Sequence, residues 1–174
     1  MQASLKPSHL RLTAVSFFVI WLQMAVFPVI AFRDIVPDSP LLLVAFFGLI
    51  LDRERVVVYA FFAGFLKDLF VNSYFGLETA SFVLGAIVLN QITSRFDRED
   101  PWVQAWATFL FSFFVLVAFC LFSAVVEERA PVHFLVWVKS LSIAGYTVIF
   151  IPVVFPLFKS IFRVQTLTRQ YELF

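Results

Sequence analysis

The 174-residue chain is 61% apolar, contains 25 phenylalanines and has a mean hydropathy of +0.93. Soluble globular domains are only about 45–50% apolar, so the composition predicts an all-α polytopic membrane protein. The formal net charge is +1, and no run of Lys and Arg interleaved with aromatic residues occurs, which argues against nucleic acid as a partner.

Six apolar stretches follow one another along the chain and are separated by short polar loops. The second stretch is short for a membrane span, which takes about 17 to 25 residues, and Pro37, Asp38 and Pro40 stand at its start. A broken or partly re-entrant helix is therefore an alternative to a full crossing there. We predict one integral membrane domain over 1–174, a compact bundle of six transmembrane helices with spans at 12–32, 35–51, 56–71, 77–93, 102–126 and 132–158.

Lysine and arginine residues are concentrated on one side of this topology. If the N-terminus is cytoplasmic, nine of the thirteen lie in cytoplasmic segments. The outer loops hold only Arg33 and Arg129, and Lys67 and Lys139 lie within helices. Because short cytoplasmic loops are enriched in Lys and Arg, we predict that both termini are cytoplasmic.

The sequence contains no recognisable catalytic or metal-binding pattern. The two histidines, His9 and His133, lie far apart, and HExxH, GxSxG and P-loop motifs are absent. Glu127 and Glu128 fall in a tight loop, where a solvated cluster is favoured over a metal or acid–base site. Cys120 is the single cysteine, so it cannot form an internal disulfide or a Cys-based metal site alone. We predict no enzyme activity, no cofactor and no metal.

The stretch 59–79, YAFFAGFLKDLFVNSYFGLET, is unusual because Lys67 and Asp68 interrupt an apolar span. A charge in hydrocarbon is costly unless it finds a partner or snorkels to water. These two residues therefore mark a packed interior or an interface. Adjacent side chains on a helix point about 100° apart, so Lys67 and Asp68 are not expected to neutralise each other.

Two further polar arrangements are predicted. The side chain of Asp38 is placed to cap the helix that opens at Ser39. Lys139 lies about two turns into the last span, at the same outer level as Asp68 and Glu78. We predict an ion pair from Lys139 to one of these carboxylates, with snorkelling of Lys139 and interface exposure of Glu78 as the alternative.

Small residues spaced four apart let helix backbones approach closely in lipid. This spacing occurs in the third, fourth and sixth spans, which we therefore predict to be central in the bundle. The pairs are Ala60 with Gly64, Ser81 with Gly85, Ala86 with Asn90, and Ser140 with Ala144.

The proline–aspartate motif before the second span, and the segment GFLKDLF followed by FGL, resemble the family of the rod-shape-determining protein MreD. Lys67 and Ser39 depart from the family pattern. The matching positions are Pro37, Asp38, Pro40, Arg55, Gly64, Phe65, Leu66, Asp68, Leu69, Gly76 and Leu77, with Pro152 or Pro156 near the end of the last span.

The resemblance implies a non-catalytic, multi-pass scaffold of the cell-elongation machinery in the bacterial inner membrane, which helps control cell shape and peptidoglycan synthesis. It implies MreC, a single-pass membrane protein, as the binding partner, together with MreB, RodA, a class B penicillin-binding protein and membrane lipid. It also implies a bundle similar to the S-components of energy-coupling-factor transporters. The structural or interaction candidates are Asp38, Gly64, Asp68, Gly76, Glu78 and Lys139.

Two other functions stay open at this point. A small-molecule-binding membrane subunit of a transporter could use the same bundle and line an outward cavity with Asp68, Asn72 and Glu78. Binding of a ligand would then stabilise the protein. An intramembrane enzyme is the third possibility, and its chemistry would have to come from His133 and the acidic loop residues beside it.

Overall fold

The computed structural model describes residues 9–31, 35–71, 75–94, 96, 100–126 and 134–162. The regular elements in these ranges are helices, which confirms the all-helical fold class. They are α1 (His9–Ala25), a short 3₁₀-helix (Phe27–Ile30), α2 (Ser39–Ile50), α3 (Arg53–Val71), α4 (Leu77–Thr93), α5 (Pro101–Val126), α6 (Phe134–Ile149) and α7 (Ile151–Phe162).

The helices differ in how well they could cross a bilayer. Among those described, α5 is long and apolar enough to cross alone, and α6 with α7, which are bent by 57° at their junction, could form a second crossing. The apolar helices α2 and α4 have 12 and 17 residues, fewer than the 18 that a helix needs to be a candidate crossing. Six complete crossings therefore remain a prediction.

The last predicted span, 132–158, is two helices in the structure and not one. Pro152 has no N–H to continue the α-helical hydrogen bonds, and its ring crowds the preceding turn. The Phe150 N–H donates to the carbonyl of Thr147 at 3.2 Å, and the Val154 N–H donates to the carbonyl of Phe150 at 2.8 Å. Phe150 thus ends one set of helical hydrogen bonds and begins the next, and α7 leaves at an angle.

The shortest predicted span, α2, lies at the centre of the bundle. Every residue from Ser39 to Leu49 is buried, and α2 contacts α1, α3, α4, α5, α6 and α7. A helix that is apolar on all sides belongs in an interior, and the sequence SPLLLVAFFGLI has no polar face. The structure therefore corrects the prediction that the third, fourth and sixth spans form the centre.

Aromatic side chains fill the space between α2 and α7. The ring of Phe46 lies 5.4 Å from those of Phe155 and Phe158, and 6.1 Å from that of Phe162, between ring centroids. Most of these contacts are tilted or edge-on, the arrangement that aromatic rings favour. They attach α7 to the central helix despite the bend that precedes it.

Two glycines allow α3 and α4 to pack closely. A Cβ at Gly64 would lie 2.6 Å from the Cα of Thr79, so the two backbones touch there. Gly76, just before α4, has a φ of +97°, a left-handed conformation that suits glycine. The close approach predicted from the spacing of Ala60 and Gly64 is confirmed.

Candidate functional site: a buried polar cluster

Polar side chains from α1, α2, α3, α4 and α6 meet inside the apolar bundle, and we call this group the polar cluster. Its members are joined by ion pairs and hydrogen bonds between elements that are distant in sequence. They are Gln23, Asp38, Ser39, Lys67, Asp68, Glu78, Thr79 and Thr147.

Lys67 of α3 is held between two carboxylates. Its Nζ lies 2.6 Å from Oδ2 of Asp38 and 3.0 Å from Oε1 of Glu78, and the three side chains are at most 8% exposed. The face of the buried Phe82 ring lies 5.3 Å from the ammonium. A buried charge is tolerated only with such partners, so Lys67 points into the bundle and does not snorkel to water.

Asp68, the next residue, caps the start of α4 from a different helix. Its Oδ1 accepts from the Glu78 N–H at 3.0 Å, and its Oδ2 accepts from the N–H and the hydroxyl of Thr79 at 3.0 and 2.6 Å. The first N–H groups of a helix have no partner within that helix and favour a negative charge. Gly76 stands at the N-cap position and has no side chain to serve them, so the Asp68 carboxylate takes that role.

Asp38 connects the start of α2 to two other helices. Its Oδ1 accepts from the Leu41 N–H at 3.2 Å, which confirms the predicted N-cap of α2. Its Oδ2 pairs with Lys67, and its N–H donates to the hydroxyl of Thr147 in α6 at 3.1 Å. One residue therefore fixes α2, α3 and α6 relative to one another.

Gln23 of α1 binds the irregular backbone that precedes α2. Its Oε1 accepts from the Ser39 N–H at 2.7 Å and lies 2.8 Å from the Ser39 hydroxyl. Its Nε2 donates to the carbonyl of Pro37 at 3.1 Å. Buried backbone groups outside a helix need partners of this kind, and α1 supplies them.

The cluster lies at one level of the bundle. Lys67 is 14 residues after the start of α3 and Glu78 is 15 residues before the end of α4, which correspond to rises of about 21 and 23 Å at 1.5 Å per residue. A hydrocarbon core is about 30 Å thick. In a chain that crosses the bilayer, the cluster would therefore lie about two-thirds of the way from the α2–α3 loop to the opposite surface.

Lys139 lies outside the polar cluster. It is exposed on α6, and the ion pair predicted from it to Asp68 or Glu78 is not found among the described residues. Glu78 is paired with Lys67 instead, and Asp68 caps α4. The sequence did contain a signal for the Lys67–Glu78 pair. The two residues lie on either side of the turn between α3 and α4, and residues on either side of the turn in an antiparallel helical hairpin face each other.

The sequence also suggested a ligand-binding cavity, a catalytic loop and, less favoured, a metal site. Asn72, Glu127, Glu128 and His133 lie outside the described residues. Within the described ranges, no group of three or more His, Cys, Asp and Glu side chains is arranged to hold a metal ion.

The chemistry of the polar cluster is that of a structural connection. Both carboxylate oxygens of Asp38 and Asp68 are engaged by protein groups, and Lys67 has two carboxylate partners. Removing one member of a buried pair typically costs about 3–5 kcal/mol, because a charge is then left without a partner. The cluster therefore fixes how α1, α2, α3, α4 and α6 are arranged.

Comparison with known protein families gives a match over most of the chain. A protein-family model described as rod shape-determining protein MreD matches residues 9–161. No curated protein and no solved structure matches the chain.

Proposed function

Because the chain belongs to the MreD family of rod shape-determining proteins, we propose that it is a non-catalytic scaffold of the bacterial cell-elongation machinery. The family is part of the MreBCD shape system. We infer that the chain binds MreC, a single-pass membrane protein, and helps control peptidoglycan synthesis. MreB, RodA, a class B penicillin-binding protein and membrane lipid are the further partners in this proposal.

The family is one of bacterial membrane proteins, and for this chain we propose six crossings of the inner membrane with both termini in the cytoplasm. In this arrangement α6 and α7 form one bent crossing. The distribution of Lys and Arg supports the orientation. The partners that Gln23 and Asp38 provide for the backbone around α2 support a crossing by that short helix, because they satisfy polar groups that lipid cannot.

The observation that carries the scaffold proposal is the saturation of the polar cluster by protein groups. A transport or catalytic site keeps a polar group available for its ligand, whereas Lys67 and Asp68 are bound by groups of this chain. Such a bundle acts through lateral contacts with other membrane proteins and with lipid.

A small-molecule-binding subunit of a transporter is the second candidate, and one cavity favours it. The cavity has a volume of about 230 Å³, lies between α4 and α5, and is lined by apolar residues including Gly85, Leu89 and Phe111. Its lining suits a hydrocarbon group. Of the three residues predicted to line a polar cavity, Glu78 is paired with Lys67, Asp68 caps the start of α4, and Asn72 lies outside the described residues.

Purification from native membranes tests the proposal. The chain would carry an affinity tag after Phe174 and would be extracted with a mild detergent from the bacterium that encodes it, with an equally tagged, unrelated multi-pass protein as the control. We expect MreC and wall-synthesis enzymes to co-purify with this chain only. Recovery of a pair of ATPases with another integral subunit would instead assign it to a transporter.

Depletion of the protein in the same bacterium gives an independent test. Rod-shaped cells are expected to round up as the protein is lost, and expression of the wild-type chain from a second copy of the gene should restore the rods. Cells that keep their shape and wall synthesis after complete depletion would contradict the proposal.

A further inference from the structure

The two sides of α6 have different neighbours. Ser140, Ala144 and Thr147 face the bundle and are buried. The residues on the opposite side are spaced alternately three and four apart, and we call them the α6 seam. They are Leu135, Val138, Ser142, Gly145 and Ile149.

The α6 seam has exposed apolar residues at its ends and partly exposed small residues, Ser142 and Gly145, at its centre, where the missing side chain of Gly145 leaves a hollow. Leu135, Val138 and Ile149 are 75%, 42% and 66% exposed. A Cβ added at Gly145 would meet nothing within 4 Å, so packing within the described part of the chain gives no reason for a glycine there. Glycine costs about 1 kcal/mol relative to alanine inside a helix. Its presence is accounted for if another helix approaches at this point.

The alternating spacing is that of a helix pair. Two helices that supercoil around each other meet through residues repeating three and four apart, the a and d positions of a heptad. The α6 seam has large apolar residues at its ends and small ones, Ser142 and Gly145, at its centre, which lets two backbones come close. The Ser142 hydroxyl is already bonded to the carbonyl of Val138 at 2.8 Å, so the small side chain contributes space and not a free donor.

Lys139 lies beside the α6 seam at an e position, where interhelical ion pairs form. It is exposed and has no ion pair among the described residues. Lys139 lies five residues after the start of α6, close enough to that end for its side chain to reach the interface, and a negative group at the same level would stabilise the charge further. The α6 sequence FLVWVKSLSIAGYTVI contains no carboxylate, so α6 of a second copy could not neutralise it.

We propose that the α6 seam is the docking site for a single transmembrane helix of another protein, and that this helix carries a carboxylate facing Lys139. The inference rests on the proposed function, in which the partner is MreC. An anionic lipid could pair with Lys139, but an acyl chain does not require the hollow at Gly145. A transmembrane helix with a carboxylate would fill the hollow with its backbone and pair with Lys139 at the same time.

Replacement of Gly145 by leucine tests the hollow. The chain and MreC of the same bacterium would be expressed together, and the amount of MreC recovered with the tagged chain would be measured. Gly145→Leu fills the seam without entering the bundle, so we expect about a tenfold loss of MreC, equivalent to about 1.4 kcal/mol. The matched control is Ala80→Leu, which places the same side chain on an exposed position of α4 and should leave recovery unchanged.

Charge exchange tests the ion pair. Lys139→Glu should lower MreC recovery to a similar extent, and replacing the facing carboxylate of the MreC membrane helix with lysine should restore it. Each acidic residue of that helix would be exchanged in turn. Restoration by one exchange and not by the others would identify the pair.

The outcomes separate the seam from the proposed function. If wild-type chain recovers MreC and the Gly145→Leu and Lys139→Glu variants recover it equally well, the seam is overturned and the scaffold stands. If wild-type chain recovers no MreC, both are overturned. Loss of co-purifying anionic lipid from Lys139→Glu with unchanged MreC would assign Lys139 to lipid, and pairing of two differently tagged copies through Gly145 would assign the seam to self-association. Either result overturns docking of a partner helix.

Discussion

Two lysines lie within apolar helices of this chain, and their surroundings are opposite. Lys67 is buried in the polar cluster, 2.6 and 3.0 Å from two carboxylates. Lys139 is exposed on α6 and has no ion pair among the described residues. A charged residue in an apolar span can therefore mark either of two places, an interior already complete or a surface still to be covered.

Two glycines differ in the same way as the two lysines, one being packed inside the bundle and the other lying on its outer surface. Gly64 touches the backbone of Thr79, whereas Gly145 faces open space. Both lie in helices, where glycine is unfavourable relative to alanine, and close approach of a neighbouring helix accounts for a glycine in such a position. For Gly64 the neighbour belongs to the same chain, and for Gly145 we propose that it belongs to another protein.

The largest expected difference is between the two lysines. Lys67→Met leaves Asp38 and Glu78 buried without their cation, and we expect a loss of about 3–5 kcal/mol in the free energy of unfolding. Lys139→Met should change it by less than about 0.5 kcal/mol. Thermal unfolding in detergent, followed through the fluorescence of the four tryptophans, measures both.

A rescue variant completes that experiment. Adding Asp38→Asn and Glu78→Gln to Lys67→Met removes the unpaired charges, so much of the lost stability should return. Equal melting temperatures for Lys67→Met and Lys139→Met would contradict the conclusion that Lys67 holds the bundle together and Lys139 does not.

The glycine pair should give the next largest difference. At Gly64 an alanine would bring its Cβ to 2.6 Å from the Thr79 Cα, which forces α3 and α4 apart and costs up to about 3 kcal/mol. Gly145→Ala should be neutral or stabilising by up to about 1 kcal/mol in the isolated protein, because alanine favours the helix. A stability loss at Gly145 as large as that at Gly64 would show that α6 packs on both sides.

The smallest expected effect concerns the two faces of α6. Thr147→Val removes the acceptor of the Asp38 N–H and should cost about 1–2 kcal/mol, because a buried donor is left unpaired. Ser142→Ala, on the exposed face, removes only a bond to its own helix and serves as the control. Hydrogen exchange at the Asp38 amide, faster in Thr147→Val and unchanged in Ser142→Ala, would locate the effect.

The parts of the site that could be predicted depend on residues close in sequence. The cap by Asp38 follows from its position just before Ser39, and the divergence of Lys67 and Asp68 follows from their adjacency on a helix. The close contact at Gly64 follows from spacing alone, since small residues indicate contact without identifying the neighbour. Local geometry was sufficient in each of these cases.

The parts that were missed depend on how the helices are arranged in space. Lys67 and Asp38 are 29 residues apart, and they meet only because α2 lies at the centre of the bundle. The length of α2 indicated a weak span, whereas its lack of a polar face indicated a buried one, and the second signal was the better guide. Pairing Lys139 with Asp68 or Glu78 failed because Lys67 was a nearer partner for Glu78.

The shortness of α2 also has a consequence for the order in which the protein is made. Its 12 residues extend about 18 Å, and α3 brings Lys67 and Asp68, two charged residues that are costly in lipid until they find partners. We do not expect either helix to move readily from the translocon into lipid by itself. We therefore expect α2, α3 and α4 to leave the translocon as one unit, with the pairing of Lys67 completed only after Glu78 has been synthesised. A nascent chain stopped between α3 and α4 would then stay beside the translocon, where quality-control proteases could reach it.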